Sequence, residues 1–115
     1  MQYLLLIYSN GQLADSWERL SEDEQKAVLG EYGAIFQTPG VVGGAQLEPA
    51  TAATTVRVKE GRTLTTSGPA ADGQEVLGGF FQIKADDLDQ ALQIAARIPA
   101  ARMGGAIEVR PLIEM

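Results

Sequence analysis

Tyr3-Leu4-Leu5-Leu6-Ile7-Tyr8 decides the fold. Every residue in this run is apolar, and Ser9-Asn10-Gly11 closes it. Side chains alternate across a strand, so an apolar residue at each position predicts a strand that needs cover on both faces. The run is too short to span a membrane, and it lacks the basic flank and cleavage site of a signal peptide. The expected location is therefore the cytoplasm.

Outward from that strand, Ser21-Glu22-Asp23-Glu24 is a capping box that opens a helix. Trp17 falls on the short segment before it. The helix places Val28, Tyr32, Ile35 and Phe36 on one stripe, and Thr38-Pro39-Gly40 ends it. Gly30 and Gly33 each weaken it by roughly 1 kcal/mol relative to Ala, so tertiary packing must hold it in place. A second strand is expected over Val41 to Glu48, with Gly43-Gly44 marking a bulge or a close backbone approach, and 49–53 is a linker. Thr54-Thr55-Val56-Arg57-Val58 and Arg62-Thr63-Leu64-Thr65-Thr66 are rich in β-branched residues and flank Lys59-Glu60-Gly61, the pattern of a hairpin.

Phe80 to Lys84 reads as a further strand. Asp86 is expected to cap a second helix with Leu88, Ala91, Leu92 and Ala95 as its buried stripe, and Pro99 to stop it. Ala106 to Ile113 is the last strand, with Ile107, Val109 and Ile113 on one face and Glu108, Arg110 and Leu112 on the other.

With the hairpin set aside as an insertion at 54–66, the order is β-α-β, β-α-β over a single domain of residues 1–115. This is the pattern of a ferredoxin-like α+β sandwich, with both helices on one face of an antiparallel sheet. The helix-free face would then expose half of the first strand's apolar residues. Two sheets packed face to face across a twofold axis resolve this, so a homodimer with a shared β core is expected.

Composition narrows the function classes. Nine Lys and Arg against 15 Asp and Glu give a net charge of -6, which argues against nucleic acid or an anionic membrane as partner. With no Cys and no His, disulfides, thiolate metal sites, a cysteine nucleophile and any Ser-His pair are excluded. At 115 residues the chain buries roughly two thirds of its unfolded surface, enough for one core.

Chemistry is best placed at Ser67-Gly68-Pro69-Ala70-Ala71-Asp72-Gly73-Gln74-Glu75, where a rigid turn carries two carboxylates into an aromatic strand. Asp72 and Glu75 are the candidate catalytic pair, and the competing reading is a solvated acidic loop. Tyr8, Trp17, Ser67, Arg102 and Arg110 are candidate ligand contacts. Against this, Tyr8 and Trp17 serve equally as core or interface anchors, and Arg102 pairs with the acidic surface. Gln46, Glu48, Gln82, Glu108 and Arg110 fall toward the open sheet face, where Arg110 either meets an anionic ligand or pairs with a glutamate. Gly43-Gly44, Gly78-Gly79 and Gly104-Gly105 are not phosphate loops, because no helix N-terminus follows them. Asp86-Asp87-Leu88-Asp89 sits at a helix start, where capping explains it better than metal binding. No cofactor motif is recognisable.

Taken together, these residues resemble the bacterial YCII-related proteins, in the branch named for an Asp-Gly-Pro-Phe motif. The likeness rests on the 3–8 run, Gly43-Gly44, the 49–57 segment, Gly68-Pro69, Glu75 with Leu77-Gly78-Gly79-Phe80-Phe81, Asp87-Leu88-Asp89-Gln90-Ala91-Leu92, Ala95-Ala96-Arg97-Ile98-Pro99 and Glu108-Val109-Arg110-Pro111. It spans nearly the whole chain. It implies a ferredoxin-like unit that dimerises into an α+β barrel, and an association with regulation by extracytoplasmic-function sigma factors. Fold alone selects no function. The His-Asp pair suspected in some relatives does not carry over to a chain without His. Ser67 stands where the motif has Asp, Ala70 where it has Phe, Gln74 where it has Lys, and Asp72 where the family has Glu. The motif keeps its backbone-shaping Gly68-Pro69 and Glu75.

Two readings follow. In the first, the chain is a homodimeric small-ligand-binding or regulatory-associated protein without catalytic machinery. In the alternative it is an isomerase, lyase or hydrolase using a carboxylate base in a cleft beside Gly68-Pro69.

Overall fold

The computed structural model describes residues 1–71 and 73–114. Strand β1 (Gln2–Ser9) leads into helices α1 (Gly11–Glu18) and α2 (Glu22–Phe36), then β2 (Val41–Gln46) and a single 3₁₀ turn (Ala50–Ala52). The hairpin β3 (Thr54–Lys59) and β4 (Arg62–Ser67) precedes β5 (Val76–Lys84). Helices α3 (Leu88–Ala96) and α4 (Pro99–Arg102) and strand β6 (Ala106–Pro111) complete the order.

Four strands form one sheet in the order β2-β5-β1-β6, with every neighbour antiparallel. The fold is the expected ferredoxin-like α+β arrangement. The apolar β1 run takes a central position between β5 and β6, where both of its edges are hydrogen-bonded. Its residues divide by alternation. Tyr3 and Leu5 are buried and join Phe81 and Ile83 of β5 beneath Ile35, Ala91, Ile94, Ala95, Ile98 and Ala100. Leu4, Leu6 and Tyr8 point to the opposite face, where they are half-buried beside Phe80 and Gln82.

The α2 capping box forms as expected: the Ser21 hydroxyl accepts from the Glu24 amide at 3.1 Å, and the Glu24 carboxylate accepts from the Ser21 amide at 2.9 Å. Val28 and Ile35 are buried. Phe36 stays 46% exposed, with its ring edge-on to Phe81 at 4.9 Å. The expected glycine irregularity in β2 is present as a register shift between Val41 and Gly43.

Several elements differ from expectation. Residues 11–18, including Trp17, form helix α1, because the Asn10 side chain caps it by accepting from the Leu13 amide at 2.9 Å. The cap of α3 is Asp87 rather than Asp86: the Asp87 carboxylate accepts from the Gln90 amide at 2.9 Å, while Asp86 donates its own amide to the Gln90 side chain. Leu88 and Leu92 are exposed, since the alanine-rich face of Ala91, Ile94, Ala95 and Ile98 sits on the sheet and turns Leu92 about 100° away from Ala91. Pro99 is buried as the first residue of α4, where its fixed φ suits a helix start. Strand β5 begins four residues before the aromatic pair, with a register shift that leaves Gly78 between the Ile7–Gly79 and Tyr8–Leu77 pairs. Strand β6 ends at Pro111, and Ile113 is 87% exposed.

The hairpin closes on Glu60 and Gly61 alone, with Lys59 opposite Arg62. Both turn residues have positive φ, 53° and 77°, the two-residue turn that matches strand twist. No helix among the described residues is long and apolar enough to cross a membrane.

Candidate functional site

A cleft of about 760 Å³ lies between α1 and α2 on one side and the ends of β2 and β5 on the other. Its walls are mostly apolar. Leu13 and Trp17 come from α1, Leu29, Tyr32 and Phe36 from α2, and Leu47 from the segment after β2. Two local features build this shape. The Asn10 cap starts α1 directly after β1, so Leu13 and Trp17, four residues apart, share one helix face. The Gln25 side-chain amide then donates to the Trp17 carbonyl at 3.0 Å, tying the end of α1 to α2.

One corner of the cleft is polar. Asn10 uses its whole amide: Oδ1 caps α1, while Nδ2 donates to the Gly104 carbonyl at 2.9 Å and to Glu75 Oε1 at 3.1 Å. Glu75 is exposed and sits between Gln74 and Val76, both of which line the cleft. Tyr32 also lines the cleft, with its phenol hydroxyl hydrogen-bonded to the Ala100 backbone; burial pushes the phenol above its ordinary 10.0, so it remains neutral at physiological pH.

The candidate residues from sequence divide accordingly. Trp17 lines the cleft; Glu75 does not, but accepts from Asn10, which does. Tyr8 does not join them: it pairs with Leu77 and Ala106 on the opposite face of the sheet, while its neighbours Ile7 and Ser9 line the cleft. Ser67 ends β4 and borders a separate, smaller concavity with Thr55, Arg57 and Thr66. Arg102 is occupied by an ion pair with Glu31 of α2, which holds the Glu31 carboxyl below its ordinary value. Arg110 pairs with Glu108 at 3.2 Å on β6. Asp72 lies outside the described residues.

Sequence reasoning missed Asn10, Leu13 and Met103. Asn10 carried a usable signal, since an Asn immediately ahead of apolar residues at helical spacing is an N-cap pattern. Met103 carried none, because it reaches the cleft only through the α4–β6 connection.

The architecture and the cleft define a ferredoxin-like α+β protein with an apolar site between its helices and its sheet. A family model for the YCII-related domain matches residues 1–115, and the chain belongs to that family. It is similar to an uncharacterized protein of Rhizobium meliloti (strain 1021), 35% identical over 117 residues, an alignment covering 97% of this chain and 92% of that protein.

Proposed function

We propose that the protein is a homodimer that binds a small, largely apolar ligand in the cleft between α1, α2 and the β2–β5 edge. The observation that carries this reading is the cleft itself. At about 760 Å³ it has the size of a ligand pocket. Its walls are mostly apolar and aromatic, with polar groups at Asn10, Gln46 and Glu48, and suit a ligand that places a hydrogen-bonding head against these groups and its body against Trp17 and Phe36. Tyr32, kept neutral by burial, adds aromatic wall without adding a base. A ligand-sensing regulatory role, the form that the family resemblance implies, follows from occupancy of this site. Homodimerisation uses the helix-free face, where Leu4, Leu6 and Phe80 form an apolar band rimmed by the Gln2–Gln82 hydrogen bond and the Glu108–Arg110 pair.

The second reading is proton transfer by the Glu75 carboxylate. One observation favours it: Asn10, which lines the cleft, donates to one Glu75 oxygen.

Trp17 is the only tryptophan in the chain and it lines the cleft, so its fluorescence reports occupancy directly. Titration with neutral and amphipathic aromatic or carbonyl compounds is expected to give saturable changes in Trp17 emission with a raised melting temperature. Leu29→Glu, a change at an exposed cleft residue, should weaken that binding at least tenfold. A broad metabolite screen that moves neither emission nor melting temperature overturns the ligand reading.

A further inference from the structure

Among the described residues the β3–β4 hairpin pairs with no other strand and forms a two-stranded sheet of its own. Every residue of the two strands is exposed except the half-buried Thr55, and Val56, Val58 and Leu64 are 59%, 69% and 47% exposed. An isolated two-stranded ribbon is marginal in water, so a ribbon this regular needs a surface to lie on. The whole chain bears the same mark. Its accessible surface is 8037 Å², whereas a folded monomer of this mass exposes ~6,000 Å². Its radius of gyration is 16.1 Å, against ~13 Å for a compact chain of this length.

The ribbon has two distinct faces. The register pairs Thr54 with Ser67, Val56 with Thr65 and Val58 with Thr63, so one face is built of β-branched side chains apart from Ser67. Arg57 opposite Leu64 and Lys59 opposite Arg62 fall on the other, which carries every cation of the ribbon. Three of the nine basic residues of the chain are therefore here, against the single acid Glu60. The ribbon is net +2 while the chain is -6, which leaves -8 on the body.

We propose that this ribbon is an exchanged arm that docks on the acidic body of a second copy of the chain. The inference rests on the homodimer reading above and adds to it a contact outside the sheet-to-sheet face. Each copy carries both the basic arm and the acidic body, so a twofold axis satisfies the contact twice. The surplus of roughly 2,000 Å² per chain exceeds the ~800 Å² per partner of a standard interface, enough for a sheet face and an arm together. Nucleic acid fits poorly, because the body around the arm repels it. The arm also roots in the cleft wall: Pro49 and Ala50 line the cleft and β3 begins at Thr54. A docked arm thus fixes the segment that shapes the ligand site.

The chain has only three lysines, Lys26, Lys59 and Lys84, so cross-links are simple to map. Equilibrated mixtures of ¹⁴N- and ¹⁵N-labelled protein treated with a carbodiimide are expected to give mixed-isotope peptides joining Lys59 to acids outside residues 54–67. A variant with Arg57→Glu, Lys59→Glu and Arg62→Glu should raise the dimer dissociation constant at least tenfold with an unchanged circular dichroism spectrum. If the wild type is dimeric by light scattering but Lys59 links only within its own chain, or the variant dimerises as tightly, the arm is overturned and the homodimer stands. A wild type that is monomeric at micromolar concentration overturns both.

Discussion

The Asn10 side-chain amide donates to Glu75 Oε1 at 3.1 Å, joining residues 65 positions apart in sequence. The same amide donates to the Gly104 carbonyl at 2.9 Å while its oxygen caps α1. One asparagine thus holds the β1–α1 junction, the loop before β5 and the loop before β6 together at the polar corner of the cleft. This makes Asn10 the position through which the stability and the shape of the site are linked.

Asn10→Ala removes a helix cap and the donor to a carbonyl and a carboxylate. The expected loss is ~1–2 kcal/mol, read as a lower midpoint in urea unfolding. Asn10→Asp should keep the cap yet still destabilise, because a carboxylate would then face Glu75 and the Gly104 carbonyl.

Gly44→Ala places a Cβ 2.6 Å from the Phe80 carbonyl oxygen and 2.9 Å from Phe81 Cδ1. Backbone cannot step aside as a flexible side chain can, so a loss of ~1–3 kcal/mol is expected in denaturant titration. Gly43→Ala meets nothing within 4 Å and should stay within ~0.5 kcal/mol of wild type.

Leu6→Arg and Leu5→Arg separate the two faces of β1. Leu5 is fully buried under the helices, so a charge there should abolish folding. Leu6 lies on the helix-free face, and Leu6→Arg should leave a folded protein that no longer forms the proposed dimer, read as a monomer mass by light scattering.

Acid should weaken the α2 region selectively. Hydrogen bonds from the Ser21 backbone and side chain hold Glu24 below its ordinary 4.5, and the hydrogen bond from Arg102 does the same for Glu31. For a carboxyl lowered in the folded state, stability is full above 4.5 and is lost as pH falls below it toward the folded value. Melting temperature followed from pH 5 downward should therefore drop less steeply in Glu24→Gln and Glu31→Gln than in wild type. Equal slopes would show that neither group titrates with folding.

Much of the fold was legible because its signals are local. The Ser21–Glu24 box, the β-branched hairpin and the apolar β1 run each state their structure within a few residues. The α3 stripe was half legible: Ala91 and Ala95 are buried against the sheet as expected, whereas Leu88 and Leu92 are exposed and Ile94 takes their place. Helix α1 was missed because its cap lay hidden in a turn-like Ser9-Asn10-Gly11. The candidate site was less legible. Tyr8 and Ser9 are adjacent in sequence but fall on opposite faces of the sheet, and of the two sequence readings of Arg102, a ligand contact or a partner for surface acid, the pair with Glu31 is the one formed.

By itself the sequence determined the order of the strands and of the helices α2 and α3, the two-sided burial demand of Tyr3 to Tyr8 and the absence of histidine and cysteine chemistry. These depend on residue type and short-range spacing. Only the tertiary structure decided that Trp17, Tyr32 and Phe36 share a cleft and that Asn10 meets Glu75. It also decided that, among the described residues, nearly every side chain of the hairpin is exposed. Those relations depend on the sheet register and the approach angles of helices, which long-range packing sets and no local pattern encodes.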